Sequence, residues 1–196
     1  MEAGRTAPLL PPRWTDLSTI TISYGHGMAV TPLHLAAGYA TLVNGGLRVH
    51  PSIIASDARP TEADRVISPR TSRELRDMMR QVVVRGTARS ADVEGYEVGG
   101  KTGTADKPNA WGGYARDKTI ATFASFFPAS APKYVLVVML DEPTAVINKT
   151  SFRTAGLTAA PVLAHAVRRL VPVMGLRPLD SPDDGAPLLY TLAGNE

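Results

Sequence analysis

The sequence predicts a mixed fold of the α+β type, an antiparallel sheet accompanied by helices. Three observations carry that prediction. Two apolar runs, Thr119 to Phe127 and Tyr134 to Leu140, are joined only by Pro128-Ala129-Ser130-Ala131-Pro132-Lys133, a link short enough for an antiparallel hairpin. Thr31-Pro32 and Ser68-Pro69 each place a capping hydroxyl before a proline at the start of a helically spaced segment. Val98-Gly99-Gly100-Lys101-Thr102-Gly103-Thr104-Ala105 reads as a third extended element, entered from Tyr96.

In chain order, residues 2 to 18 are Pro-rich and irregular, and Tyr24-Gly25-His26-Gly27 is a glycine-punctuated loop. The first helix follows Thr31, carries Leu35, Tyr39, Leu42 and Val43 at helical spacing, and stops at Gly45-Gly46. Leu47 to Ile54 is a short extended connection. A second helix begins at Pro69, with Leu75, Met78, Met79 and Val82 as its buried stripe and Gly86 at its end. After the extended element, Asp106 to Asp117 forms a polar loop holding Pro108, Trp111, Gly112 and Gly113, expected to be mobile and near a ligand. A last helix spans Thr158 to Leu170 with Pro161 in its first turn. Val162, His165, Ala166 and Arg169 share one side of it, and His165 reads as a helix-surface or packing residue rather than a ligand. The chain divides into residues 1–171, which form the domain, and a Pro-rich flexible tail at 172–196.

The bounds on function are firm. The chain has 196 residues and a hydrophobic fraction of 44%, enough for one cored domain. Net charge is +3, without a dense basic stripe interleaved with aromatics, so nucleic-acid binding has no support. Cysteine is absent, which excludes a disulfide scaffold and thiolate metal sites. Neither a signal peptide nor a run of ~18 apolar residues is present. Glu2-Ala3-Gly4-Arg5 behind the first Met reads as mid-protein sequence, so the chain is expected to be a fragment.

The glycine-opened element carries the chemistry. Side chains alternate along a strand, so Lys101 and Gly103 share one face and Thr102 and Thr104 the other. One cation, two hydroxyls and glycines that admit close approach suit a strand edge that holds an anionic, peptide-like ligand. Two motifs match here by coincidence. Gly95 to Thr102 fits G-x-x-x-x-G-K-[ST], but that loop must open a helix, and Gly103, Pro108, Gly112 and Gly113 forbid one. Ser130-Ala131-Pro132-Lys133 fits S-x-x-K, where the serine should begin a helix; here it is a hairpin turn.

Lys101-Thr102-Gly103-Thr104-Ala105 resembles the third active-site motif of penicillin-binding proteins. Ser23 to Ala36, Tyr39 to Gly46, Val82 to Ala88 with Gly86-Thr87-Ala88, Asp141-Glu142-Pro143 and Ala160-Pro161-Val162 match the same family in order. The resemblance covers about Pro8 to Leu170 and is greatest to class B transpeptidases of the septal, cell-division type. It implies the C-terminal part of the penicillin-binding-protein and β-lactamase-like transpeptidase fold, a five-stranded antiparallel sheet covered by helices on both faces. It also implies acyl transfer from the D-Ala-D-Ala end of a peptidoglycan stem peptide, β-lactams as acylating mimics, cell-division partners, and a membrane-anchored parent on the periplasmic side of the inner membrane. No cofactor or metal is implied.

Carried over by residue, Lys101 biases proton transfers beside the catalytic hydroxyls, and Thr102 and Thr104 bind the substrate carboxylate. Gly103 leaves room for the ligand, and the Thr104 amide is an oxyanion donor, a group worth about 3–4 kcal/mol of barrier. The family's nucleophile serine, its S-x-x-K lysine and its S-x-N motif have no match in this sequence, so the chain alone is expected to be inactive. Uncovered apolar faces are expected to cause self-association or partial disorder. Two other readings share the third motif: a non-catalytic peptidoglycan- or partner-binding module, and a serine β-lactamase or β-lactam-sensor relative.

Overall fold

The computed structural model describes residues 7–54, 60–109, 111 and 113–179. The elements in order are α1 (Asp16–Ser23), α2 (Pro32–Val43), α3 (Pro69–Val84), β1 (Gly99–Pro108), β2 (Tyr114–Phe127), β3 (Tyr134–Asp141), β4 (Ala145–Ile147), β5 (Thr150–Phe152) and α4 (Ala159–Val173). Strands β1, β2 and β3 form one antiparallel sheet in that order, and β4 and β5 form a separate hairpin. The α+β class and the hairpin of the two apolar runs are as expected.

The central strand explains the layering. In β2, Ala121, Phe123 and Phe127 point to one face and meet Leu163, Ala164, Val167 and Val171 of α4. Phe126 points the other way and meets Val43 of α2, with Met79 of α3 beside it. Both faces of β2 are thus buried, and helices cover the sheet on both sides. Among the described residues α1 buries nothing. Leu17, Ile20 and Trp14 are exposed around it.

The caps form as their residue types dictate. The Thr31 hydroxyl accepts the His34 amide at 3.2 Å and the Ser68 hydroxyl accepts the Thr71 amide at 3.0 Å. Ser72, fully buried, pins the two helices together. Its hydroxyl donates to the Leu42 carbonyl at 2.6 Å and accepts the Gly45 amide at 3.1 Å. Both hydroxyl functions are therefore satisfied inside the core.

Several expectations need correction. Residues 16–18 are helical rather than irregular, because Thr15 and Ser18 cap α1 reciprocally. Met78 is 59% exposed and lies outside the stripe, which runs through Ser72, Met79, Val82 and Val83. The strand expected from Tyr96 begins at Gly99, since Glu97 takes the left-handed conformation at φ +43°. The polar loop is shorter than Asp106 to Asp117: β1 runs to Pro108 and β2 starts at Tyr114, with a register shift between Asp106 and Lys107. Lys107 holds that end through Asp141 and Glu142, each at 2.8 Å. Helix α4 extends past Leu170 to Val173 with Pro172 inside it. The division expected after residue 171 therefore falls within a helix. Leu176 is buried in the core and the Leu179 amide donates to the Gly95 carbonyl at 2.8 Å. The remainder of the tail, 180–196, lies outside the described residues. Val162, His165 and Arg169 are exposed and Ala166 is half-buried.

Glu97 also clips the β2–β3 turn to the start of β1. Its carbonyl accepts the Ala129 amide at 2.9 Å and its carboxylate accepts the Ser130 amide at 3.0 Å. Hydrogen bonding from Ser130, with a smaller contribution from the Arg80 charge, holds this carboxyl below its usual value of 4.5. A carboxylate depressed in the folded state adds stability above its unfolded pKa and loses it as pH falls through the folded one. Thermal melts taken from about pH 7 down to about pH 3 should show a falling midpoint below the ordinary glutamate range. In Glu97→Gln that fall should be smaller.

Candidate functional site

Strand β1 is the edge of its sheet and pairs with β2 on one side only. Backbone groups on its outer side are open to another extended chain. The register puts Thr102 opposite Phe123 and Thr104 opposite Ala121, while Lys101 lies opposite Ala124 and Gly103 opposite Thr122. Directly paired residues point to the same face. Thr102 and Thr104 therefore share the α4 side, and Lys101 and Gly103 share the α2 side, as the alternation predicts.

The glycines divide into two kinds. A Cβ at Gly99 would lie 2.6 Å from the Phe126 ring, and one at Gly100 would lie 2.4 Å from the Ala124 carbonyl and 3.0 Å from the Phe123 ring. These two positions are filled from within, so the close approach they permit belongs to the core. At Gly103 an added Cβ would meet only the Thr122 carbonyl oxygen, at 4.0 Å. Only this glycine leaves open space beside the edge.

Lys101 is exposed, and its ammonium donates to the neighbouring Thr102 carbonyl at 2.8 Å. Among the described residues it has no carboxylate partner. Lys107, six residues on, is neutralised by Asp141 and Glu142, and hydrogen bonding to those two carboxylates raises its pKa. The strand thus carries one compensated and one uncompensated cation. Thr104 accepts the Ala155 amide at 3.0 Å, and the Thr102 hydroxyl lies 2.9 Å from that of Thr87. Because Thr104 accepts there, its own proton is free to donate to a ligand. Thr87 and Ala155 were not singled out as site residues in the sequence. They become visible only when the turn after α3 and the loop before α4 meet the same strand.

The two coincidental motifs resolve as expected. Residues 99–108 form a strand and open no helix, and Ser130 to Lys133 join β2 to β3. A cleft of about 460 Å³ lined by Arg80, Asp92, Glu94, Glu97 and Arg168 includes none of residues 101–104. Its Arg80 is already bonded to Asp92 and to the Val98 carbonyl. Among the described residues no group of three or more His, Asp or Glu side chains is placed to hold a metal.

An antiparallel sheet covered by helices, with a Lys-Thr-Gly-Thr run on its free edge, defines a transpeptidase-type domain. Residues 1–166 match the penicillin-binding protein transpeptidase domain, and the chain belongs to that family, in its class B branch. It is 40% identical over 204 residues to penicillin-binding protein PbpB of Mycolicibacterium smegmatis, covering 94% of this chain and 31% of that protein. It is 38% identical over 181 residues to the probable peptidoglycan D,D-transpeptidase FtsI of Caulobacter vibrioides, covering 87% and 30%. Penicillin-binding protein 3 from Mycobacterium tuberculosis, solved with ampicillin, superposes with a TM-score of 0.77 at 32% identity, covering 95% of this chain and 44% of that one. The transpeptidase domain of Burkholderia pseudomallei penicillin-binding protein 3 gives a TM-score of 0.73 at 34% identity, covering 86% and 50%. The chain spans about a third of the length of the curated relatives it matches.

The two kinds of glycine should separate on substitution. Gly100→Ala forces a methyl into the Ala124 carbonyl and should cost about 1–3 kcal/mol, read as a lowered thermal midpoint. Gly103→Ala should leave the midpoint unchanged or slightly raised, because the new methyl meets only the Thr122 carbonyl oxygen at an ordinary contact distance of 4.0 Å.

Proposed function

We propose that this chain supplies the substrate strand of a peptidoglycan D,D-transpeptidase of the septal type. One observation carries the reading. The Lys101 ammonium, without a carboxylate partner among the described residues, shares one face of a free strand edge with the open space at Gly103, and the Thr102 and Thr104 hydroxyls stand on the other face of the same edge. A stem peptide ending in D-Ala-D-Ala lies along that edge as an added strand. Its terminal carboxylate takes hydrogen bonds from Thr102 and Thr104. The amide of Thr104 is one oxyanion donor for the carbonyl under attack. Lys101 stabilises the charged forms of the hydroxyls that exchange protons there.

The nucleophile belongs to another part of the full-length protein. Its serine attacks the penultimate D-alanine carbonyl, the terminal D-alanine leaves, and the acyl group passes to the amine of a second stem. β-Lactams acylate the same serine. The names of the curated relatives support the peptidoglycan substrate, and the ampicillin complex of a structural relative supports β-lactam binding. Cell-division proteins are the partners, and the site of action is the periplasmic face of the inner membrane. Among the described residues no helix is long and apolar enough to cross a membrane. Isolated, the chain self-associates through the exposed apolar side chains around α1, among them Leu17 and Ile20.

A fluorescent penicillin tests the reading. The full-length protein should form a stable covalent adduct. Lys101→Ala should slow its formation roughly 10- to 100-fold, the range for losing a charge-assisted contact. This chain by itself should form none, and an adduct on it would refute its dependence on an outside nucleophile. Sedimentation of the isolated chain checks the association, against which a monodisperse monomer would count.

A further inference from the structure

A hydroxyl that gives its single proton to a carboxylate can keep another hydrogen-bonded neighbour only by accepting from it. A threonine hydroxyl carries one proton and two lone pairs, and a carboxylate only accepts. Thr104 meets this condition, because the Ala155 amide donates to its oxygen at 3.0 Å and leaves the proton outward. For Thr102 the hydrogen-bonding neighbour seen among the described residues is the Thr87 hydroxyl, at 2.9 Å. We propose that Thr87 is a positioning residue for anion recognition: its hydroxyl donates to Thr102 and leaves the Thr102 proton for the ligand's carboxylate. This rests on the transpeptidase reading of β1 and extends it to a residue outside the strand.

Thr87 is mounted for such a role. The next residue, Ala88, is fully buried, and its amide donates to the Val82 carbonyl at 3.1 Å at the end of α3. Behind Thr87, Gly156 packs so closely that an added Cβ would lie 2.2 Å from the Thr87 carbonyl oxygen. Ser90 closes the contact by donating to the Gly156 carbonyl at 2.7 Å. Gly156 follows Ala155, whose amide serves Thr104. The two donors behind the two threonines therefore sit on one interlocked unit, the turn after α3 and the loop before α4. A shift of either piece moves both protons offered to the ligand.

The test is a double-mutant cycle on the full-length protein, read as the second-order rate of acylation by a fluorescent penicillin, which carries the carboxylate in question. Thr87→Val should slow acylation roughly two- to tenfold, the range for one neutral hydrogen bond. Thr87→Ser should restore it. Adding Thr87→Val to Thr102→Val should cause no further loss, because Thr87 acts through Thr102. Melting temperatures report folding, and Thr87→Ala gives the same reading if the valine variant does not fold. An acylated wild type with Thr87→Val at the wild-type rate overturns the role of Thr87 alone. An equal loss in the Thr102→Val background puts Thr87 on the ligand itself and overturns the positioning role. A wild type that is not acylated overturns the transpeptidase reading and this role with it.

Discussion

The free edge of β1 depends on the grip that two phenylalanine rings exert on its first residues. Phe126 lies over Gly99 on one face and Phe123 against Gly100 on the other, and both rings are fully buried. Any side chain at either glycine would push the strand off its partner. With the rings in place, the register is fixed, and a slip of one residue would exchange the faces of Lys101 and Thr102. The chemistry at residues 101–104 is therefore set by packing two positions upstream. This explains a division within one short run, in which the first two glycines pack against the core and the third faces open space.

Electrostatics completes what packing begins. Two lysines lie on β1, at 101 and 107, and the sheet treats them oppositely. Lys107 is tied to the end of β3 by Asp141 and Glu142, and Lys118 adds a looser contact to Glu142 at 3.7 Å. These exposed pairs steady the far ends of the strands and contribute little individually to stability. Lys101 has no such carboxylate neighbour among the described residues and stays exposed.

Much of this was legible in the sequence because local signals agreed with tertiary needs. Thr31-Pro32 and Ser68-Pro69 capped helices as their chemistry requires, and the two apolar runs paired across a short turn. The run at 101–104 alternated as a strand must. What escaped reading had weak or competing signals. Helix α1 lacks a buried stripe, so only the Thr15 and Ser18 cap betrays it. The β4–β5 hairpin turns on Asn148 and Lys149, both left-handed at φ +50° and +66°, without the glycine that usually marks such a turn. Met78 and Met79 looked alike in sequence, and helix rotation put one in solvent. The Thr87 and Ala155 contacts join segments 15 and 51 residues from their partners, a distance that no local pattern spans.

The unpaired edge of β1 has one more consequence, for the protein's behaviour toward itself. An edge left open for a peptide is equally open to the same edge of another molecule, and two such strands would pair antiparallel. In a pairing centred on Lys101, the two exposed ammonium groups, each without a carboxylate partner among the described residues, would lie directly opposite one another on one face. An uncompensated charge on an open edge thus disfavours edge-to-edge stacking of identical copies in that register.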